Sequence, residues 1–269
     1  MGKIISKVTS DYDFFIPFRQ HAPSLRNARW EIYADLGRLG DDNGVGFFNI
    51  LAFRGVFFGS PFAKSDHYQW FESLDDWKEF QARHQKEALR VGNTNDKYYV
   101  KKNCYGRTQK DRSLELLESY WTQRKSWKDA LDKKKTSTIT DFYKWLLSKD
   151  GNVSKFYNIG PLTAMLICGD LIEAGLIPMP SSQELGQLIY KVGKGAKDGM
   201  LLFGLVEDGV EEEGFCDAFV SLDAYIERML GDEEKATMGY NVVMLEHTLC
   251  KMKRLTTHGI SIENILREI

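Results

Sequence analysis

One stretch limits this chain's folding options more than any other: FYNIGPLTAMLICGDLIEAG, Phe156 to Gly175. Its middle is apolar on every side rather than along one stripe, and a helix of that kind must be enclosed by the rest of the molecule. Pro161 suits the first helical turn, where its missing N–H is not needed. Gly160 ahead of it lets the backbone turn and approach a neighbour closely. The run is far too short to span a bilayer, so the enclosure must come from protein and no membrane partner is expected. A chain of 269 residues, 43% hydrophobic and 28% charged, is long enough to provide it. Inside the run stands a lone carboxylate, Asp170. A buried carboxylate must be paired, hydrogen-bonded or functional. A structural ion pair and a site role both stay open for it here.

Most remaining segments read as helices with local start and stop signals. In SLDDWKEFQARHQKEALRVG, Ser73 is an expected N-cap, Asp75 and Asp76 complement the first-turn dipole and Gly92 follows the end. Thr138 or Thr140 starts TSTITDFYKWLLSKDGN, with Gly151 as its stop, and Ser181 or Ser182 starts SSQELGQLIYKVG after Pro180. SLRNARWEIYADLGRLG, DRSLELLESYWTQRKSWKDALDKK, GFCDAFVSLDAYIERMLG and NVVMLEHTLCKMKRLTTHG also read as helices. VGFFNILAFRGVFFGSPFA is so apolar that periodicity does not separate a buried helix from a strand. NTNDKYYVKKNCYGRTQ is polar and turn-rich, with short strands expected. The reading is a mainly α fold, one helical domain over 1–269 with lobes at 1–135 and 136–269.

Four cysteines, Cys104, Cys168, Cys216 and Cys250, form no CxxC pair, which removes the usual zinc-ribbon and redox signals. With no signal-peptide core in MGKIISKVTSDYDFF, a reducing, cytoplasmic setting is expected. MGKIIS fits the loose myristoylation pattern, but no second anchor follows. Net charge is −2, yet residues 97–135 hold 12 Lys/Arg against 5 Asp/Glu. Such a flank suits nucleic acid or is simply a solvated helical surface.

NIGPLTA, preceded by a short helix, has the shape of a helix-hairpin-helix. Free N–H groups at its second helix would attract phosphate, with Asn158 and Gly160 as the backbone-binding positions. A plain helix–helix turn fits equally well. KVGKGAKDGMLLFG carries Lys191, Lys194 and Lys197 among four glycines, a combination suited to phosphate oxygens or to a solvated loop. It is not a Walker loop, since GxxxxGK[ST] occurs nowhere in the chain. Asn49 and Arg54 stand among aromatics in FFNILAFRG, as a buried network or as readers of a base and a phosphate. LEHTLCKMKR offers Glu246, His247, Lys251 and Lys253, a set more often structural than catalytic. HExxH, GxSxG and a supported GxGxxG are missing, which removes the usual metallopeptidase, hydrolase and dinucleotide signatures.

The blocks FFNILAFRGVFFGSP, FYNIGPLTAMLICGDL, KVGKGAKDGM and MLEHTLCKMKR occur in an order that resembles a helical family of bacterial viruses. Its members are alpha-glutamyl/putrescinyl-thymine pyrophosphorylases, or amino-acid:DNA transferases, which hypermodify thymine in DNA. The blocks reach across residues 46–254. The family has a GPGA-like loop where this chain reads Gly193-Lys194-Gly195-Ala196. The family's shape is similar to helix-hairpin-helix DNA glycosylases, which implies a glycosylase-like helical fold with two lobes. Those enzymes carry an Asp about twenty residues past the hairpin. Here that region is IPMPSSQEL, with Ser181 and Ser182 and no Asp.

The resemblance implies double-stranded DNA carrying 5-hydroxymethyluracil, pyrophosphorylated beforehand, as substrate. An amino acid or polyamine is the implied amine donor. Lys191, Lys194, Lys197, Arg54 and the Gly160-Pro161 helix start would meet the leaving pyrophosphate. Asp170 would orient the amine and accept its proton. Asn49 would read the edge of a flipped base, with Phe48 or Tyr157 stacking on it. Magnesium is compatible with a pyrophosphate leaving group, but no compact carboxylate cluster demands a metal and no cofactor is read. A glycosylase acting on a modified base and a non-catalytic DNA-binding module are the competing readings. Donor identity and oligomeric state are not written in these residues.

Overall fold

The structure is a computed structural model. It describes residues 2–10, 12–16, 21–28, 36–39, 43–65, 68–91, 116–127, 130, 138–151, 153–156, 159–261 and 263. The protein is mainly helical, and strand among the described residues is confined to one antiparallel hairpin, Lys149–Asp150 against Val153–Ser154. The chain forms two compact units, Pro23–Met179 and Met1–Ala22 with Pro180–Ile269. The division therefore falls at Met179–Pro180. The expected lobe boundary at residue 135 lies outside the described residues.

The Pro23–Met179 unit is built on aromatic rings. Its ambiguous segment VGFFNILAFRGVFF is helical: an α-helix, Val45–Ala52, runs directly into a π-helical turn, Phe53–Phe57. Every residue from Val45 to Phe57 is buried, which explains why no periodicity marks it. The wider π turn closes with the Phe58 N–H donating to the Phe53 carbonyl at 2.8 Å. Phe48 and Phe57 pack edge-on or stacked with Phe71 and Trp77. Phe47 instead stacks on Trp127 and meets Phe156 edge-on. The helix can sit this deep because Gly46 has no side chain: a Cβ there would lie 2.4 Å from the Leu39 carbonyl oxygen.

The cap signals hold where they can be seen. Ser73 Oγ accepts from the Asp76 N–H while Asp76 Oδ2 accepts from the Ser73 N–H, opening the Leu74–Val91 helix. Thr138 caps Ile139–Leu146 through the Asp141 N–H. Gly151 is not that helix's stop: it turns the hairpin between the two strands, at φ 63°. Gly92 and the turn-rich 93–109 segment lie outside the described residues, as does most of the basic flank.

The second unit holds the helices Ser182–Val192, Ala196–Leu202, Glu212–Met229, Asp232–Met238 and Val242–Thr257, of which Asp232–Met238 buries no residue. Ser181 caps the first of these through the Glu184 N–H, and Asn241 caps the last through the Met244 N–H. Ala196–Leu202 lies against Val242–Thr257 so closely that a Cβ on Gly199 would lie 2.5 Å from the Leu249 carbonyl oxygen. The chain's start closes this unit: Phe14 and Phe15 pack with Leu255 and Ile260. Buried Lys251 donates to the Phe14 carbonyl at 2.9 Å.

Candidate functional site

The residues marked by sequence fall into two groups, one in each unit. In the first, the apolar Pro161–Glu173 helix carries Asp170 and the π turn carries Arg54. The guanidinium meets the carboxylate side-on: Nε donates to Oδ2 and Nη2 to Oδ1, both at 2.5 Å. Their side chains are 1% and 0% exposed. Arg54 also lies over the Phe58 ring at 4.5 Å and the Phe53 ring at 5.1 Å. A planar fork and a carboxylate are matched in geometry, so each offsets part of the other's burial cost. The open choice for Asp170 thus meets its ion-pair branch. Both its oxygens face a buried cation, which leaves it poorly placed to take a proton from an incoming amine. Arg54 is equally poorly placed to meet a pyrophosphate.

Asn49 has a comparable fate. Its Nδ2 donates to the Val45 and Phe71 carbonyls, each at 2.9 Å, and its Oδ1 accepts from the Phe71 N–H at 2.9 Å. The amide imitates a strand neighbour for Phe71 and pins the 68–72 segment to the central helix. At 1% exposure it has no edge to offer a flipped base. This is the buried network, not the base reader. Phe48 is likewise fully buried, inside the ring cluster.

Among the described residues no short helix leads directly into NIGPLTA. The Ile139–Leu146 and Pro161–Glu173 helices pack together, but residues 147–160, including the β-hairpin, separate them. Gly160 is the N-cap of the second helix, with extended backbone and no side-chain capping bond, and space is open around its Cα. Asn158 and Tyr157 lie outside the described residues. Near this helix, burial pushes the Tyr143 hydroxyl up to about 12, with Cys168 adding to the shift.

The second group is the lysine loop. Gly193 ends the Ser182–Val192 helix at φ 71°, and Gly195 follows at φ 68°. Both conformations are in the region that glycine tolerates. Lys194 between them is exposed, with no ion-pair partner among the described residues. Lys191 makes an exposed 3.4 Å pair with Glu212, of the kind that contributes little. Lys197 lies 3.8 Å over the Tyr190 ring. The loop is pressed onto the last helix, where a Gly195 Cβ would meet Cys250 Sγ at 3.1 Å.

Sequence reasoning missed one polar cluster altogether. Asp223 of the Glu212–Met229 helix accepts from Ser182 Oγ, and also from the Tyr240 hydroxyl at 2.7 Å. Burial, and then the bond to Asp223, raise the Tyr240 pKa and keep it a donor. Nothing local signals this, since the partners lie 41 and 17 residues apart. Among the described residues no group of three or more His, Cys, Asp or Glu is placed to hold a metal ion, and no helix is long and apolar enough to cross a membrane. Comparison with protein-family models, with curated proteins and with solved structures gives no match.

Proposed function

We propose that this protein is a DNA-modifying transferase of the kind its ordered blocks resemble, working in a helical fold related to helix-hairpin-helix glycosylases. The reaction forms a bond between an amine nitrogen and the methylene carbon of 5-pyrophosphoryloxymethyluracil. The carbon–oxygen bond to pyrophosphate breaks, one proton leaves the ammonium donor, and the sugar stays intact. One observation supports this reading most directly. The four blocks pack two by two across long separations: FFNILAFRG with FYNIGPLTAMLICGDL through Arg54 and Asp170, and KVGKGAKDGM with MLEHTLCKMKR through Gly195 and Gly199. Blocks that are distant in sequence thus meet within each unit.

The geometry shifts the expected roles. The leaving pyrophosphate is assigned to Lys191, Lys194 and Lys197, which stand at the end of one helix, in the Gly193–Gly195 turn and at the start of the next helix. Arg54, Asp170 and Asn49 become the frame. The uncapped start at Gly160 remains a candidate contact for the DNA backbone.

Burial of Asp170 favours a second reading, a DNA-binding module without turnover. Nucleoside mass spectrometry separates the two. Pyrophosphorylated 5-hydroxymethyluracil DNA is incubated with the protein and a pool of amino acids and polyamines. An amine-bearing nucleoside establishes transfer and identifies the donor. Bound but unchanged DNA establishes the module, and free base with abasic sites establishes a glycosylase.

A further inference from the structure

We infer that the outer half of the Glu212–Met229 helix is a docking face for a basic amphipathic helix of a partner protein. The inner half belongs to the core: Phe215, Cys216 and Phe219 are buried, and this helix packs on Ser182–Val192. Beyond Val220 no residue of the helix is fully buried, although Asp223 still bonds Ser182 and Tyr240, while the apolar spacing continues. Leu222, Tyr225, Ile226 and Met229 recur at the intervals of a single helical face. Tyr225 is 51% and Met229 60% exposed, the two most exposed large hydrophobic side chains among the described residues. Leu222 and Ile226 beside them are half-buried. Four apolar residues at this spacing, two exposed and two half-buried, form at the end of a long helix the kind of seam that helix-in-groove recognition uses.

Charge selects the occupant. Residues 211–234 contain nine acidic side chains and one basic one, Arg228. Glu227, Asp232, Glu233 and Glu234 are exposed at and beyond the end of the seam, with Glu227 paired to Lys235 and Arg228 lying over the Tyr225 ring. A second copy of this chain would bring the same acidic surface against itself, and like charges at an interface are repelled. DNA is excluded from this face for the same reason. A helix with an apolar stripe flanked by lysine or arginine satisfies both features at once. The opposite sign of the lysine loop in the same unit lets this face take a protein while that loop remains open to phosphate. The inference rests on exposure and charge and stands whether or not the transferase reading does.

The test uses the full chain and two fluorescein-labelled model peptides with leucine at helical spacing, one with lysine and one with glutamate at the remaining positions. Fluorescence anisotropy is expected to show saturable binding of the lysine peptide only, weakened by added salt. Tyr225→Ser with Met229→Ser leaves the charge unchanged and is expected to weaken binding by about tenfold or more, with the melting temperature held. Binding that the double substitution leaves intact would be mere charge attraction and would overturn the inference. So would equal binding of the glutamate peptide, no binding of either, or sedimentation showing a dimer that Met229→Ser dissolves.

Discussion

Arg54 and Lys194 are both cations that the sequence marks for phosphate, and the fold treats them in opposite ways. Arg54 sits in a π turn among Phe53, Gly55, Val56 and Phe57 and is held by a buried carboxylate and two rings. Lys194 sits between two glycines at positive φ and faces solvent. A cation inside an aromatic run is part of the architecture, because leaving it unpaired is too unfavourable. A cation in a glycine-rich bend has no such obligation and can serve a ligand.

The largest expected effect lies at the buried pair. Asp170→Ala or Arg54→Ala strands a charge in the core and should lower stability by about 3–5 kcal/mol. The double substitution Arg54→Met/Asp170→Leu should recover most of that loss. Urea unfolding of the single and double variants measures both, and equal losses in all three would break the contrast with Lys194. Next is Asn49→Leu, which leaves the Phe71 N–H and carbonyl without their side-chain partner. A loss of about 2–3 kcal/mol is expected, read in the same experiment. Smaller again is the lysine loop. Replacing Lys191, Lys194 and Lys197 together by alanine should weaken pyrophosphate binding about tenfold in calorimetry, while the melting temperature stays put. A fall in melting temperature would mean that the loop, like Arg54, is architecture.

A pH response comes last. Tyr143 has its folded pKa raised from 10.0 to about 12. Its contribution to stability is therefore complete below pH 10 and is lost as pH rises toward 12. Tyr143→Phe should flatten this part of the stability–pH curve. An unchanged curve would show that the hydroxyl is not in fact shielded.

Helix starts could be read from the sequence because a cap is a local event: Ser73, Thr138 and Ser181 each bond a backbone N–H three residues ahead. The central aromatic helix could not, since a segment buried on all sides has no period to detect. Asp170 and Arg54 each read in the sequence as a polar group in apolar surroundings. That they are each other's answer depends on a contact across 116 residues, which only the fold supplies. Asp223 gave less still: its half-exposed helix position looks ordinary until Ser182 and Tyr240 arrive from elsewhere. Gly151 shows the limit of single-residue signals, since glycine stops helices and turns hairpins for the same reason.

The proposed chemistry depends on the lysine loop and not on the buried carboxylate. It is tested most directly by assaying two variants side by side for amine transfer to pyrophosphorylated 5-hydroxymethyluracil DNA, with nucleosides read by mass spectrometry. The Arg54→Met/Asp170→Leu variant should still form the adduct, and the Lys191/Lys194/Lys197→Ala variant should lose it while remaining folded. The reverse outcome, with adduct lost in the folded core variant and kept without the lysines, would contradict the claim and return Asp170 to the reaction.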